Sequence, residues 1–327
     1  MAAKAQDSQD NLVEIMDLVV EYPNQGTPLR AVDHVSLEVK RGEVLGLVGE
    51  SGCGKTTLGL TLLRMNAPGR VTGGSVQVDS VDILSLGKEE LRRYRWEKTS
   101  MVFQSAMNAL DPVKTIESQI VETMVQHSNT NKEAARRKVR DLLSIVHIDP
   151  TRATSYPHEL SGGMKQRVVI AMALCLSPKL LIADEPTTAL DVVVQAGILR
   201  TIKRLQEEMG LSVIIITHDI SIMSEMSNRI AVMYGGKIVE IGPTKDILES
   251  PMHPYTQALL RAIPDLGDKA TIKGIPGAPP NLADPPKGCR FHPRCPHAFE
   301  RCRNESPELI DAGPTMAACW LVEKDGV

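Results

Sequence analysis

Gly49-Glu50-Ser51-Gly52-Cys53-Gly54-Lys55-Thr56 constrains this chain more than any other segment. It follows an uninterrupted apolar run, Val44-Leu45-Gly46-Leu47-Val48, and opens a helix-like stretch from Lys55 to Met65. A short apolar run of this kind reads as a strand buried on both faces, so strand, loop and helix form the opening unit of a parallel α/β core. The octapeptide has the spacing of a P-loop. Its glycines let backbone N–H groups curl around a β-phosphate, Lys55 reaches the β and γ oxygens, and the Thr56 hydroxyl suits Mg2+. Nucleotide binding is therefore the first expectation.

Three more runs read as buried strands: Ser100 to Phe103, Leu180 to Ala183 and Ser212 to Thr217. Each stops at a polar or charged residue, as parallel strands do where they share a functional edge. Asp184 at such an edge would hold Mg2+ through water, and Glu185 would orient or deprotonate the attacking water, which separates hydrolysis from mere binding. Gln104 and His218 close the other two runs, one to sense metal and water and the other to donate a hydrogen bond to the γ-phosphate.

Around this core, Leu12 to Tyr22 and Ala31 to Lys40 alternate apolar and polar residues and read as an antiparallel β-layer half buried on one face. Thr130-x-x-Glu133 is a capping-box pattern that starts a helix with Ala135, Val139, Leu142, Leu143 and Val146 on one side. A helical insert, about residues 105–178, thus interrupts the α/β core, and its Arg136-Arg137-Lys138 run reads as a solvated face. From Gly274 to Gly288 proline and glycine are too dense for helix or central strand, which marks a linker.

Leu160-Ser161-Gly162-Gly163-Met164-Lys165-Gln166 starts another helix, with Ser161 as N-cap. Two glycines beside open N–H groups make a second phosphate site. One nucleotide does not need both sites in one chain. A head-to-tail pair solves this, the helix end of one protomer closing over the γ-phosphate held by its partner's P-loop.

Composition narrows the alternatives. Lysine plus arginine total 37 against 40 aspartate plus glutamate, a net charge of -3, so no basic field draws the chain to nucleic acid. The longest apolar stretches are strand-sized, and the polar segment Met1 to Gln9 lacks the apolar region of a secretory signal, which points to a cytosolic chain without a bilayer span. Six cysteines in that reducing setting read as thiols or metal ligands, Cys175 among them as core filling.

In order and spacing, the P-loop, Gln104, Leu160 to Gln166, Asp184-Glu185, Ala189-Leu190-Asp191 and His218 resemble the ATPase subunits of ABC transporters. The resemblance implies a P-loop NTPase (RecA-like) α/β core, with residues 1–262 as the nucleotide-binding domain. It implies catalytic roles for Lys55, Gln104, Glu185 and His218, and Mg2+ contacts at Thr56, Gln104 and Asp184. Nucleotide contacts follow at Tyr22 (adenine stacking), Gly49, Ser51, Gly52, Cys53, Gly54, Lys55, Thr56, Thr57, Gln104, Ser161, Gly162, Gly163, Gln166, Asp184 and Asp191, the last beside Leu190 in a loop coupling the two sites. Cys53 stands where serine is frequent, which implies thiol sensitivity without a change of mechanism.

Pro251-Met252-His253-Pro254-Tyr255-Thr256 and Gly288 to Pro296 look like the oligopeptide/dipeptide importer branch. That branch implies a second, homologous but non-identical ATPase chain, two transmembrane permease subunits, an extracytoplasmic substrate-binding protein, and a place at the cytoplasmic face of the inner membrane. Peptides lead as cargo; nickel complexes, glutathione and short oligosaccharides are the alternatives, and a soluble ABC ATPase is the competing class. Residues 263–327 form a proline-rich linker and a small cysteine-rich extension. There Cys289, Cys295, Cys302 and Cys319 are spaced by five, six and sixteen residues, unlike the short knuckles of structural zinc. The resemblance implies a [4Fe-4S] cluster on these four, with zinc and free thiols as the other readings and His292 and His297 as exposed loop residues.

Overall fold

The computed structural model describes residues 10–104, 109–188, 190–262 and 274–324. Along the chain, β1 (Asn11–Tyr22) and β2 (Leu29–Lys40) precede β3 (Val44–Val48), α1 (Lys55–Thr61), β4 (Arg70–Val78) and β5 (Val81–Asp82). Next come β6 (Thr99–Val102), α2 (Ile116–His127), α3 (Lys132–Ile145), α4 (Gly162–Ala173), β7 (Leu180–Asp184), α5 (Val192–Met209) and β8 (Ser212–Thr217). They are followed by β9 (Arg229–Tyr234), β10 (Lys237–Pro243), α6 (Pro254–Arg261), β11 (Ile310–Asp311) and β12 (Met316–Ala317), with shorter helices between. Two compact units emerge, one of Met1–Val13, Val39–Glu43 and Gln77–Ile215, the other of Glu14–Glu38, Val44–Val76 and Ile216–Val327.

In the first unit β6 and β7 are parallel, with Ser100 opposite Leu181 and Val102 opposite Ala183. Leu180 to Ala183 are fully buried, which is why the run is apolar without alternation. Helices α2 and α3 fall between β6 and β7 along the chain. Ala135, Val139, Leu142, Leu143 and Val146 are all buried, and Arg136 and Arg137 are exposed. The cap of α3 differs by one residue from the sequence reading: the Asn131 side chain accepts from the Ala134 amide at 2.9 Å, while Thr130 is bonded to Ser128. Either residue can cap, and asparagine wins because its carbonyl reaches the amide three residues on. Asp79 ties this unit together. Although burial pulls its carboxyl up, Lys179, Lys98 and Arg41, each within 2.9 Å, hold it well below the usual carboxylate range.

In the second unit the strands run β11-β12-β10-β9-β3, and β2, β1 and β4 lie side by side. β3 and β9 are parallel, with Val48 opposite Val232, so the loop after β3 leaves at the same end as Tyr234 and the Gly235-Gly236 turn. β12 adds to β10 in antiparallel fashion, Glu240 opposite Ala317. Phe291 is buried against Tyr234 and Tyr255, with ring centroids 5.2 and 5.4 Å away, and the two tyrosines are 4.5 Å apart. Such pairs contribute about 0.5–1.5 kcal/mol each beyond burial. The carboxylate of the buried Glu240 accepts from the amides of Met252 and His253, and the His253 Nδ1 accepts from the Tyr255 amide, so the start of α6 is satisfied on both sides. Complete burial of the His253 ring pushes its pKa down to about 3, so it caps the helix as neutral imidazole.

Candidate functional site

The P-loop belongs to the second unit. Glycine is required at two of its turns. Gly49 has φ 153° and a Cβ there would sit 2.1 Å from the Met233 carbonyl oxygen; Gly54 has φ 108° and its Cβ would sit 2.1 Å from that of Ala31. The loop is thus pressed against neighbouring backbone on one side, which fixes its curl. Lys55 is buried, and its Nζ donates to the carbonyl oxygens of Gly49 at 2.7 Å and Glu50 at 2.9 Å, while Ser51, Gly52 and Thr56 are exposed. A loop with left-handed turns at Gly49, Gly52 and Gly54, an ammonium inside it and a hydroxyl at its mouth fits a polyphosphate and, through Thr56, the accompanying Mg2+.

Helix α1 ends at Thr61, a turn short of the predicted Met65, because Arg64 turns left-handed and the Met65 amide folds back onto Leu60. Cys53 is the position where thiol sensitivity is expected. It is buried, and burial pushes its thiol pKa up despite the Lys55 ammonium 3.7 Å away, which disfavours the reactive thiolate. Tyr22 is half-buried at the end of β1 with its ring over Gly69, where a Cβ would lie 2.8 Å from the ring. His218 is exposed immediately after β8, in the same unit.

The first unit holds the carboxylates. Asp184 is buried at the end of β7. Glu185 follows with φ 45°, a left-handed conformation that costs a non-glycine residue about 1–3 kcal/mol and is characteristic of functional positions. Its Oε2 accepts from Gln104 Nε2 at 2.8 Å and from Thr188 Oγ1 at 2.9 Å. The parallel pairing of β6 and β7 therefore brings together the Gln104 and Glu185 that the sequence placed at one edge. Thr188 was missed; only its offset of three residues from Glu185 could have pointed to it.

Ser161 caps α4, accepting from the Met164 amide at 3.4 Å. Gly163 has a use the sequence did not show: a Cβ there would lie 2.6 Å from Val194 Cγ1, so its bareness admits α5 to close packing. Gln166 is buried, whereas Asp191 is exposed and caps α5 by accepting from Val194. Ala189, part of the same motif, lies outside the described residues.

All six cysteines are free, and Cys175 is buried just beyond the end of α4. Cys289, Cys295, Cys302 and Cys319 line one small pocket with His253, His292 and His297. His297 is exposed as expected, but His292 is half-buried and bonded to the Cys289 carbonyl. Burial, and then the neighbouring sulfurs, push the Cys289 and Cys319 thiols up to about 11. The four soft donors converge, yet among the described residues no three His, Cys, Asp or Glu side chains are disposed to hold a metal ion. The [4Fe-4S] cluster expected on these residues is not shown by this arrangement.

The extension also reaches the P-loop, which the sequence reading missed altogether. Arg294 donates to both Glu50 carboxylate oxygens, at 2.6 and 2.9 Å, next to the Glu50 amide that donates to Tyr255 Oη of α6 at 2.9 Å.

Comparison with known proteins agrees with this geometry. The family model described as ABC transporter matches residues 32–188, and that described as Oligopeptide/dipeptide transporter, C-terminal region, matches residues 239–302. The chain is 44% identical to the dipeptide transport ATP-binding protein DppD of Haemophilus influenzae, over 94% of each. It is 42% identical to the oligopeptide transport ATP-binding protein OppD of Escherichia coli, over 97% of this chain and 95% of that one. Among solved structures, the post-hydrolysis dimer of the ATP-binding cassette MJ0796 bound to ADP and Pi superposes with a TM-score of 0.63 at 29% identity, over 71% of this chain and 98% of that one. With the phosphate loop, the strand-end carboxylates and the C-terminal region all accounted for, the chain belongs to the ABC transporter family, in the group of dipeptide and oligopeptide transport ATP-binding proteins.

Proposed function

We propose that this chain is the ATP-hydrolysing subunit of an importer for di- and oligopeptides, working as one half of an ATP-binding pair. The observation that carries the peptide branch is the match at residues 239–302, which lies beyond the generic ATPase region and includes the His253 and Tyr255 that anchor α6 beneath the P-loop.

In this reading residues 1–262 bind and hydrolyse nucleotide and residues 263–327 form an extension. Gly49 and Ser51 to Thr57 hold the phosphates, with Lys55 neutralising their charge and Tyr22 stacking on the adenine. Thr56, Asp184 and Gln104 would hold Mg2+, which would supply charge to offset that of the phosphate oxygens. Glu185 takes the proton of the attacking water, with Gln104 and Thr188 fixing its carboxylate, and His218 donates to the γ-phosphate. Ser161, Gly162, Gly163 and Gln166 act on the nucleotide of the facing protomer, and Asp191 links the two sites.

The partners are a homologous ATPase chain, two permease subunits that form the channel, and an extracytoplasmic substrate-binding protein, so the chain sits at the cytoplasmic face of the membrane. No helix among the described residues is long and apolar enough to cross a bilayer. In proteoliposomes holding the complete assembly, peptide-loaded binding protein is expected to raise ATP turnover at least several-fold and to drive peptide uptake. Stimulation by a nickel complex, glutathione or an oligosaccharide, with none by peptide, overturns the cargo assignment.

For the extension we propose a soft-metal site on Cys289, Cys295, Cys302 and Cys319, a [4Fe-4S] cluster first and zinc second, supported by the convergence of four sulfurs on one pocket. Anaerobically purified protein is expected to contain about four iron and four sulfide per chain. One zinc without sulfide rejects the cluster, and neither metal leaves four thiols.

A further inference from the structure

Glu50 occupies a P-loop position that the motif leaves unspecified, and it is held from three directions. Its amide donates to Tyr255 Oη, its carbonyl accepts from Lys55 Nζ at 2.9 Å, and its carboxylate is gripped in a fork by Arg294. Arg294 is itself fixed. It is nine-tenths buried, its Nε donates to the Pro276 carbonyl at 2.7 Å, and its guanidinium lies 5.8 Å over the Tyr234 ring. It directly precedes Cys295, and three residues before it Phe291 plugs the aromatic cluster.

A carboxylate in a loop that receives polyphosphate has the wrong sign for its place. Left without a partner it repels the ligand, and it is free to rotate towards the Lys55 ammonium that the ligand needs. A planar guanidinium bonded to both oxygens cancels that charge and fixes its direction in one step, which a flexible lysine cannot do. We propose that Arg294 is a positioning residue for nucleotide binding: by clamping Glu50 it keeps the P-loop electrostatically open to ATP and makes nucleotide affinity depend on the docked C-terminal extension. The inference rests on the P-loop being the phosphate site.

The test uses the full chain and compares Arg294→Met, which keeps the packed stem, Arg294→Lys, and the double variant Arg294→Met/Glu50→Gln. Steady-state hydrolysis and calorimetric titration with Mg-ADP are measured for each. Arg294→Met is expected to raise KM for Mg-ATP and Kd for Mg-ADP about ten-fold, with the change in KM much larger than that in kcat. Arg294→Lys is expected to fall between it and the wild type. Removing the orphaned charge in the double variant is expected to bring both constants back to within about two-fold of the wild type.

A strut that merely fastens the extension predicts a different pattern: a lowered thermal midpoint with no recovery in the double variant. That pattern, or an unchanged KM in Arg294→Met, overturns the proposal. Should Arg294→Met not fold, Arg294→Lys with unchanged KM and Kd does the same. Lys55→Ala run alongside separates the two readings. Retained Mg-ADP binding in that variant removes the phosphate site itself, whereas lost binding there with native constants in Arg294→Met overturns the clamp alone.

Discussion

Glu185→Gln is expected to bind Mg-ATP as the wild type does and to hydrolyse it about 10^2–10^4-fold more slowly, the range for losing a general base. The substitution keeps the shape of the side chain and an oxygen to accept from Gln104 Nε2 and Thr188 Oγ1, which lie 2.8 and 2.9 Å from the carboxylate. What it removes is the ability to take a proton. Because the left-handed backbone at Glu185 depends on the turn and not on the charge, the strained geometry persists in the amide. Binding and chemistry therefore separate. Since the nucleotide is expected to join two protomers, the variant accumulates as an ATP-bound pair, which size-exclusion chromatography with and without ATP reads directly. Single-turnover hydrolysis within about two-fold of the wild type removes Glu185 from the role of base.

How far the sequence carries is visible at particular residues. β3 and β8 begin and end where the apolar runs do, because a strand buried on both faces has no room for a polar residue before its end. Gln104 and Glu185 were legible as partners for the same reason: two parallel strands that end in polar residues bring those residues to one edge. The helical face of α3 was legible from its period, but its cap was not settled, since Thr130 and Asn131 are both competent and geometry decides between them.

Glu50 marks the limit. Its partners Tyr255 and Arg294 lie 205 and 244 residues further along the chain, and no local pattern encodes a contact at that separation. The segments containing both partners stood out only by family resemblance, and nothing in them announces what they touch. Gly163 teaches a related lesson. Beside Gly162 it reads as room for an anion, and the structure adds a second use, since its bare side admits Val194 and lets two helices pack closely. The thiols show the converse: their number and softness were legible, but a metal geometry is a matter of distances, which spacing along a chain does not determine.

Lys55→Ala is expected to abolish turnover and to weaken nucleotide binding at least about a hundred-fold, consistent with the loss of a buried, charge-assisted set of hydrogen bonds. The ammonium does two things at once. It donates to the carbonyl oxygens of Gly49 and Glu50 from within the loop, and it supplies the positive charge that the phosphates require. Alanine leaves two carbonyl dipoles pointing into the cavity with nothing to answer them, so the site turns from attractive to repulsive for an anion. Global stability follows a different course, because Gly49 and Gly54 remain pressed on the Met233 and Ala31 carbonyls and continue to hold the curl. Calorimetry with Mg-ADP is therefore expected to lose its signal while the thermal midpoint of the ligand-free chain shifts by only a few degrees. Wild-type hydrolysis in this variant would place the phosphate site elsewhere and remove the basis for the roles given to Glu185 and Arg294. Loss of binding together with loss of folding would instead assign Lys55 to the loop's architecture, a separation that the unliganded melting curve makes directly.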